Sequence, residues 1–251
     1  MKKIIAILTI GFILFVSCSK DDDSDNSINT IANKKATGTS SKDLLSDVKY
    51  KSMVIEVVYV DGFEPSAAAI TNFVSFIEAR TYKPGGITVL KRSIPSPGKA
   101  TFTVQEIATL ENANRTKYNT ADQIAVWVLF VDGKSSSDTS TTAILGMSYW
   151  NTSFVIFEKT IQGQSNSPWE PERSLFETTV ITHEFGHILG LTNLGAPMQT
   201  NHEDSSHPKH CNASTCLMYW EAESGNSLLN ATSAPQLDAQ CLADLRANGG
   251  K

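Results

Sequence analysis

The chain has 251 residues with 41% hydrophobic and 19% charged side chains. That is enough apolar material for one substantial domain or two small ones and too much for a disordered chain. Lys plus Arg is 21 against Asp plus Glu 26, a net charge of −5 with no basic stripe, which removes the electrostatic footprint of a nucleic-acid binder, and four cysteines are too few to build a disulfide scaffold.

In chain order, Met1-Lys2-Lys3 is a short cationic start, Ile4 to Val16 an apolar run, and Ser17-Cys18 its end. This is the pattern of a secretory leader, and the apolar run falls short of the roughly 20 residues that a membrane-spanning helix needs. The terminus resembles a bacterial lipoprotein signal. That resemblance implies cleavage after residue 17, acylation of Cys18 and attachment of the protein to a membrane. Loss of Lys2 and Lys3 leaves 19 cationic against 26 anionic side chains, a mature charge of −7. Residues 18–45 open on Ser19-Lys20-Asp21-Asp22-Asp23-Ser24-Asp25 and continue in Asn, Thr and Ser, so a flexible acidic and polar tether is expected there. Acidic runs after a lipidated cysteine resemble the surface-export signals of some Gram-negative lipoproteins, although a plain solvated linker reads the same. The expected location is the cell envelope, with the outer membrane or cell surface ahead of the inner membrane.

From Lys51 the chain alternates between strand and helix patterns. Ser52 to Val60 is nearly all apolar and β-branched, as in a strand buried on both faces. Pro65 opens a helical pattern carrying Ile70, Phe73, Val74 and Ile77 on one face, with Pro84-Gly85-Gly86 as its stop. Ile87 to Leu90 reads as a short strand, Val104 to Asn112 as a helix and Gln123 to Val131 as the strongest strand. Ala143 to Tyr149 and Phe154 to Phe157 read as a hairpin turning at Trp150-Asn151-Thr152-Ser153. Gln236 to Asn248 reads as a terminal helix, closed by Gly249-Gly250.

The chemistry lies in Thr182-His183-Glu184-Phe185-Gly186-His187-Ile188-Leu189-Gly190. Ser174 and Glu177 have the spacing of a capping box, and Leu175, Phe176, Val180, Ile181, Ile188 and Leu189 supply apolar periodicity, so one helix stopped by Gly190 is expected. Two imidazoles four residues apart share a helix face and can both reach one zinc ion at about 2.0 to 2.1 Å. Glu184 between them is placed to take a proton from a zinc-bound water, which is how a peptide carbonyl is attacked near neutral pH.

The string H-E-x-x-H-x-x-G with a later Met resembles the metzincin clan of zinc metallopeptidases, over roughly residues 50 to 220. The resemblance implies an α/β (α+β) fold: a twisted five-stranded mixed sheet with helices, a zinc helix on its floor, and a smaller irregular C-terminal subdomain ending in a helix. The metalloprotease domain is then 46–251, divided into 46–190 and 191–251. It also implies that the edge strand, Ile144 to Tyr149, pairs with extended substrate. Most metzincins place their third ligand three residues after the glycine, where this chain has Asn193, a weak zinc ligand. Met218 lies eight residues after His210, the interval found in matrixins, and His210-Cys211 with Cys216 and Met218 matches the H-C-x4-C-x-M string of archaemetzincins. His210 is therefore the first choice for third ligand, with His202 and then Asn193 behind it and His207 expected in solvent. An insertion over Leu191 to Lys209 then separates glycine from ligand, as a longer one does in leishmanolysin. Met218 is expected as a hydrophobic floor beneath the zinc.

Three cysteines remain after Cys18. A disulfide between Cys211 and Cys216 is expected on compartment grounds. The resemblance offers an alternative, since archaemetzincins bind a structural zinc with four cysteines, although the downstream C-x-x-C is here reduced to Cys241. The function expected is a lipid-anchored zinc metalloendopeptidase, a monomer with one catalytic Zn2+ and a peptide or protein substrate. A catalytically silent surface binding module and an aminopeptidase stay open as alternatives.

Overall fold

The computed structural model describes residues 30–167, 172–223, 228 and 231–251. The leader and Cys18 lie outside these residues. Of the tether expected over 18–45, residues 30–45 are packed into the domain instead: a 3-10 turn at Thr30–Asn33 begins a segment in which Asn33, Leu44 and Leu45 are fully buried. The adjacent leucines of α1 (Ser41–Leu45) enter the main core, and the Asn33 amide donates to the Ala125 carbonyl and the Thr152 hydroxyl.

β1 (Ser52–Val60) forms as expected, its β-branched side chains suiting a pleated chain buried on both faces. α2 (Ala67–Glu78) is capped by the Ser66 hydroxyl, which accepts from the Ala69 N–H, and stops well before the Pro84-Gly85-Gly86 breaker. The reason is tertiary. The Tyr82 N–H donates to the Leu45 carbonyl, and the Lys83 ammonium donates to the carbonyls of Asp43, Ser46 and Tyr50, so this stretch caps α1. β2 (Ile87–Ile94) runs four residues past its expected end because β1 offers a parallel ladder from Met53 opposite Ile87 to Val60 opposite Ile94. β3 (Thr101–Phe102) leads into α3 (Val104–Asn114), whose start is a reciprocal cap between Thr103 and Glu106. β4 (Gln123–Phe130) follows, then β5 (Lys134–Ser135), which pairs parallel with β3 apart from the main sheet.

β6 (Gly146–Trp150) and β7 (Ser153–Ile156) make the expected antiparallel hairpin, with an irregularity between Ser148 and Trp150. Strand order is β2-β1-β4-β7-β6, parallel except for β6 at the edge. Side chains alternate between two cores, as the strand period requires. Met53, Ile55, Val57, Val126, Val128 and Phe154 face one, while Val58, Val60, Trp127, Leu129 and Val155 face the other with Ile107 of α3. The first core takes α2 and the later helices: α4 (Glu158–Gly163), α5 (Arg173–Ile188) and α6 (Ala239–Ala247), the last shorter than the expected Gln236 to Asn248. Phe73 of α2 sits edge-on to Phe154 of β7 at 6.1 Å and to Phe185 of α5 at 5.1 Å, locking the zinc-motif helix to the sheet. Among the described residues no helix is long and apolar enough to cross a membrane.

Candidate metal centres

The motif helix α5 begins two residues earlier than the expected cap. Glu172 is its N-cap, accepting from the Leu175 N–H at 2.9 Å, while Ser174 already lies in the first turn and its hydroxyl turns back to Glu172. Glu177 is engaged elsewhere: its carboxylate accepts from Arg173 Nε at 2.7 Å and from the Ser66 N–H at 2.9 Å. The helix ends on Leu189, and Gly190, with φ of 84°, turns the chain away.

His183 and His187 lie one turn apart on α5, with their Nε2 atoms 3.1 Å apart. Two donors about 2.0 to 2.1 Å from a tetrahedral zinc stand roughly 3.3 Å from each other, so the pair is already spaced for one ion. The Nδ1–H of His183 donates to the Leu217 carbonyl at 2.7 Å; a carbonyl only accepts, so this bond fixes the tautomer and leaves Nε2 as the donor to a metal. His210 completes the group, its ring 5.4 Å from that of His183 and 5.2 Å from that of His187, and its Nδ1–H donates to the Pro208 carbonyl. One ring nitrogen from each of the three lies within 4.8 Å of the others. Glu184 opens into the same cleft of about 210 Å³, lined also by Thr37, Gly146, Ser148, His187 and His210. A larger hollow of about 490 Å³, between α2 and α5 and lined by Arg80, Thr178 and Gln236, contains none of the three histidines.

The other candidates lie apart. His202 is fully buried, with Nε2 2.7 Å from Asp244 of α6 and Nδ1 3.4 Å from Cys211 Sγ. Burial opposes its imidazolium, but the bonds to Asp244 and Cys211 outweigh it and hold its pKa above the usual histidine value. The Asn193 amide turns to Glu203. His207 is not simply solvated: it bonds Asp204 at 2.8 Å and stacks on Trp220 at 4.1 Å. Met218 is buried against α5, its side chain under Gly186.

The expected Cys211 to Cys216 disulfide is not formed. Cys211, Cys216 and Cys241 are buried free thiols, and with Asp238 each offers a ligand atom within 4.8 Å of the rest. The N-terminus of α6 brings them together: Asp238 caps that helix through Oδ1 to the Cys241 N–H, and its Oδ2 lies 3.4 Å from Cys211 Sγ. Cys216 Sγ lies 3.6 Å from Cys241 Sγ and accepts the N–H groups of Met218 and Asp238, both at 3.4 Å. Hydrogen bonds from the Cys211 and Cys241 thiols bring Cys216 down to about 4 against the effect of burial, whereas Cys211 and Cys216, with burial, push Cys241 up. Three sulfurs and a carboxylate within reach of one another are the donor set of a closed cation site. Sequence reasoning missed Asp238; the signal was Asp238-Ala239-Gln240-Cys241, an acidic residue at C-x-x-C spacing.

The segment Cys216-Leu217-Met218 joins the two groups. Its first residue belongs to the thiol cluster, its second holds His183 through a carbonyl, and its third packs beneath α5.

No protein-family profile and no curated protein matches the chain. Among solved structures it is similar to archaemetzincin from Methanopyrus kandleri, with a TM-score of 0.51 and 18% identity over 79% of this chain and 96% of that one. A zinc-dependent peptidase from Methanocorpusculum labreanum aligns with a TM-score of 0.48 and 12% identity over 76% of this chain and 99% of that one. Metalloproteinase-II from Bacteroides fragilis aligns with a TM-score of 0.43 and 16% identity over 82% of this chain and 56% of that one. The mixed five-stranded sheet with its helices is thus the fold of archaemetzincin.

Proposed function

We propose that the chain is a zinc metalloendopeptidase that hydrolyses peptide bonds in proteins, with His183, His187 and His210 holding the ion and Glu184 as general base. The observation that carries this reading is the convergence of three histidines, two from α5 and one from a loop, beside a cleft that also holds the Glu184 carboxylate. Bound there, the ion supplies Lewis acidity, acidifying water and polarising a peptide carbonyl. Glu184 takes the proton of the attacking water and returns it to the leaving amine nitrogen. β6, the outer strand beside the cleft, orients extended substrate by accepting it as a further strand.

Cys211, Cys216, Asp238 and Cys241 would hold a second zinc, and a site closed by four protein donors would give it a structural role. Bound there, it would tie Cys211, next to His210, to the start of α6. The same reading holds the protein as a monomer at the cell envelope, anchored through an acylated Cys18.

Metal analysis and casein cleavage on the chain from Ser19 test the proposal. Two zinc ions per chain are expected. Glu184→Ala should keep both and lose at least about 100-fold in kcat, the usual scale for removing a general base. His210→Ala should lose one ion. A wild-type chain with no zinc and no cleavage of casein or a peptide library overturns the reading.

A further inference from the structure

Glu184 is held from the side by β6. Gly146 and Ser148, two residues apart and so on one face of that strand, both touch it. Ser148 Oγ lies 2.7 Å from Glu184 Oε2 and 2.7 Å from the Glu184 backbone carbonyl oxygen. At Gly146 a Cβ would stand 2.6 Å from Glu184 Cγ, 2.7 Å from Oε1 and 2.9 Å from Val180 Cγ1, so the strand approaches the carboxylate as closely as a bare backbone allows.

A serine hydroxyl has one hydrogen and two lone pairs. Ser148 Oγ stands between the Glu184 carboxylate and the Glu184 backbone carbonyl and tethers that residue to β6 at both points.

We infer that Ser148 is the positioning residue of the Glu184 side chain: with Gly146 it fixes the carboxyl group against β6. The inference rests on the general-base reading of Glu184, and it adds a residue to which neither the zinc motif nor the Met218 interval points. Ser148 acts through Glu184, not on substrate.

The test uses Ser148→Ala and Ser148→Thr in the full chain. Ser148→Ala should lower kcat about tenfold at unchanged KM, because positioning is lost and substrate contacts are not. Ser148→Thr, which keeps the hydroxyl, should recover most of that loss. A second readout needs no metal and no activity: urea unfolding of the metal-free wild type, Ser148→Ala, Glu184→Ala and the double variant. The two substitutions should be non-additive if the side chains bond each other. An unchanged kcat in Ser148→Ala, a Ser148→Thr variant as slow as Ser148→Ala, or additive stabilities each overturn the inference. A wild type that cleaves nothing overturns the peptidase reading instead, and the unfolding cycle still decides the contact between Ser148 and Glu184.

Discussion

Gly186 stands between the two histidines of α5, and a Cβ on it would meet Met218 Sδ at 2.3 Å. Met218 has little room to give way, because it is fully buried, its N–H donates to Cys216 Sγ and its carbonyl accepts the Cys211 N–H at 2.7 Å. Gly186→Ala should therefore destabilise the chain by about 1 to 3 kcal/mol, the usual scale of overpacking, and weaken metal binding by tilting the histidine face. Urea midpoints and a competitive zinc titration check this; no change in either would mean that the methionine swings aside. At this scale the sequence is informative only where chemistry is local. His183, Glu184 and His187 are one helical turn and readable as such, and His210 is reached through its interval to Met218. Ser148 lies 36 residues from Glu184, and Asp238 lies 27 from Cys211, so their roles depend on how elements pack. The compartment argument for a disulfide failed for the same reason: it weighed Cys211 and Cys216 as chain neighbours, whereas the fold adds Cys241 and a carboxylate to the pair.

The junction of α4 and α5 encloses two buried carboxylates around one guanidinium. Arg173 donates through Nη2 to Glu158 at 2.9 Å and through Nε to Glu177 at 2.7 Å. Burial first, and the facing Glu177 second, push Glu158 up to about 9. The folded chain thus keeps a proton that the unfolded glutamate gives up near 4.5, so the group's contribution to stability is complete below that pH and is lost progressively up to about 9. Glu158→Gln, neutral throughout, should flatten the stability profile over that window, as measured by urea unfolding; an equal slope in both proteins contradicts the raised pKa. Elements were readable where composition and neighbours agree. β1 and β4 are apolar and β-branched and sit at the centre of the sheet, so nothing competes with their local preference. The ends of α2 and β2 were misplaced because α1 and β1, distant in the chain, supply their partners. Ser174 satisfied a capping pattern, but Glu172 reached the open N–H first.

Across the whole molecule, the sheet buries both faces, and the segment before β1 is part of the domain. Leu44 and Leu45 are fully buried, the Ser41 hydroxyl donates to the Leu189 carbonyl at the end of α5, and Asn248 beyond α6 donates to that same hydroxyl at 2.6 Å. A chain starting at Ser46 should be less stable than one starting at Thr30 by about 3 to 6 kcal/mol, from the two leucines alone. Urea unfolding of both forms measures this, and equal midpoints would show that the segment is dispensable. The polar composition of residues 18–45 hid this role, because two leucines in a long hydrophilic stretch carry little weight until a core receives them. Thr37 of this segment lines the cleft, and its hydroxyl donates to the Ser148 carbonyl, so the segment before β1 reaches the site itself. Only twelve peptide steps separate Cys18 from Thr30, a contour of at most about 40 Å. Under the proposed acylation of Cys18, that contour would keep the domain within reach of the bilayer surface. Encounters with a proposed substrate would then become nearly two-dimensional, and a protein resting on the same membrane would be met far more often than one equally abundant in the surrounding fluid.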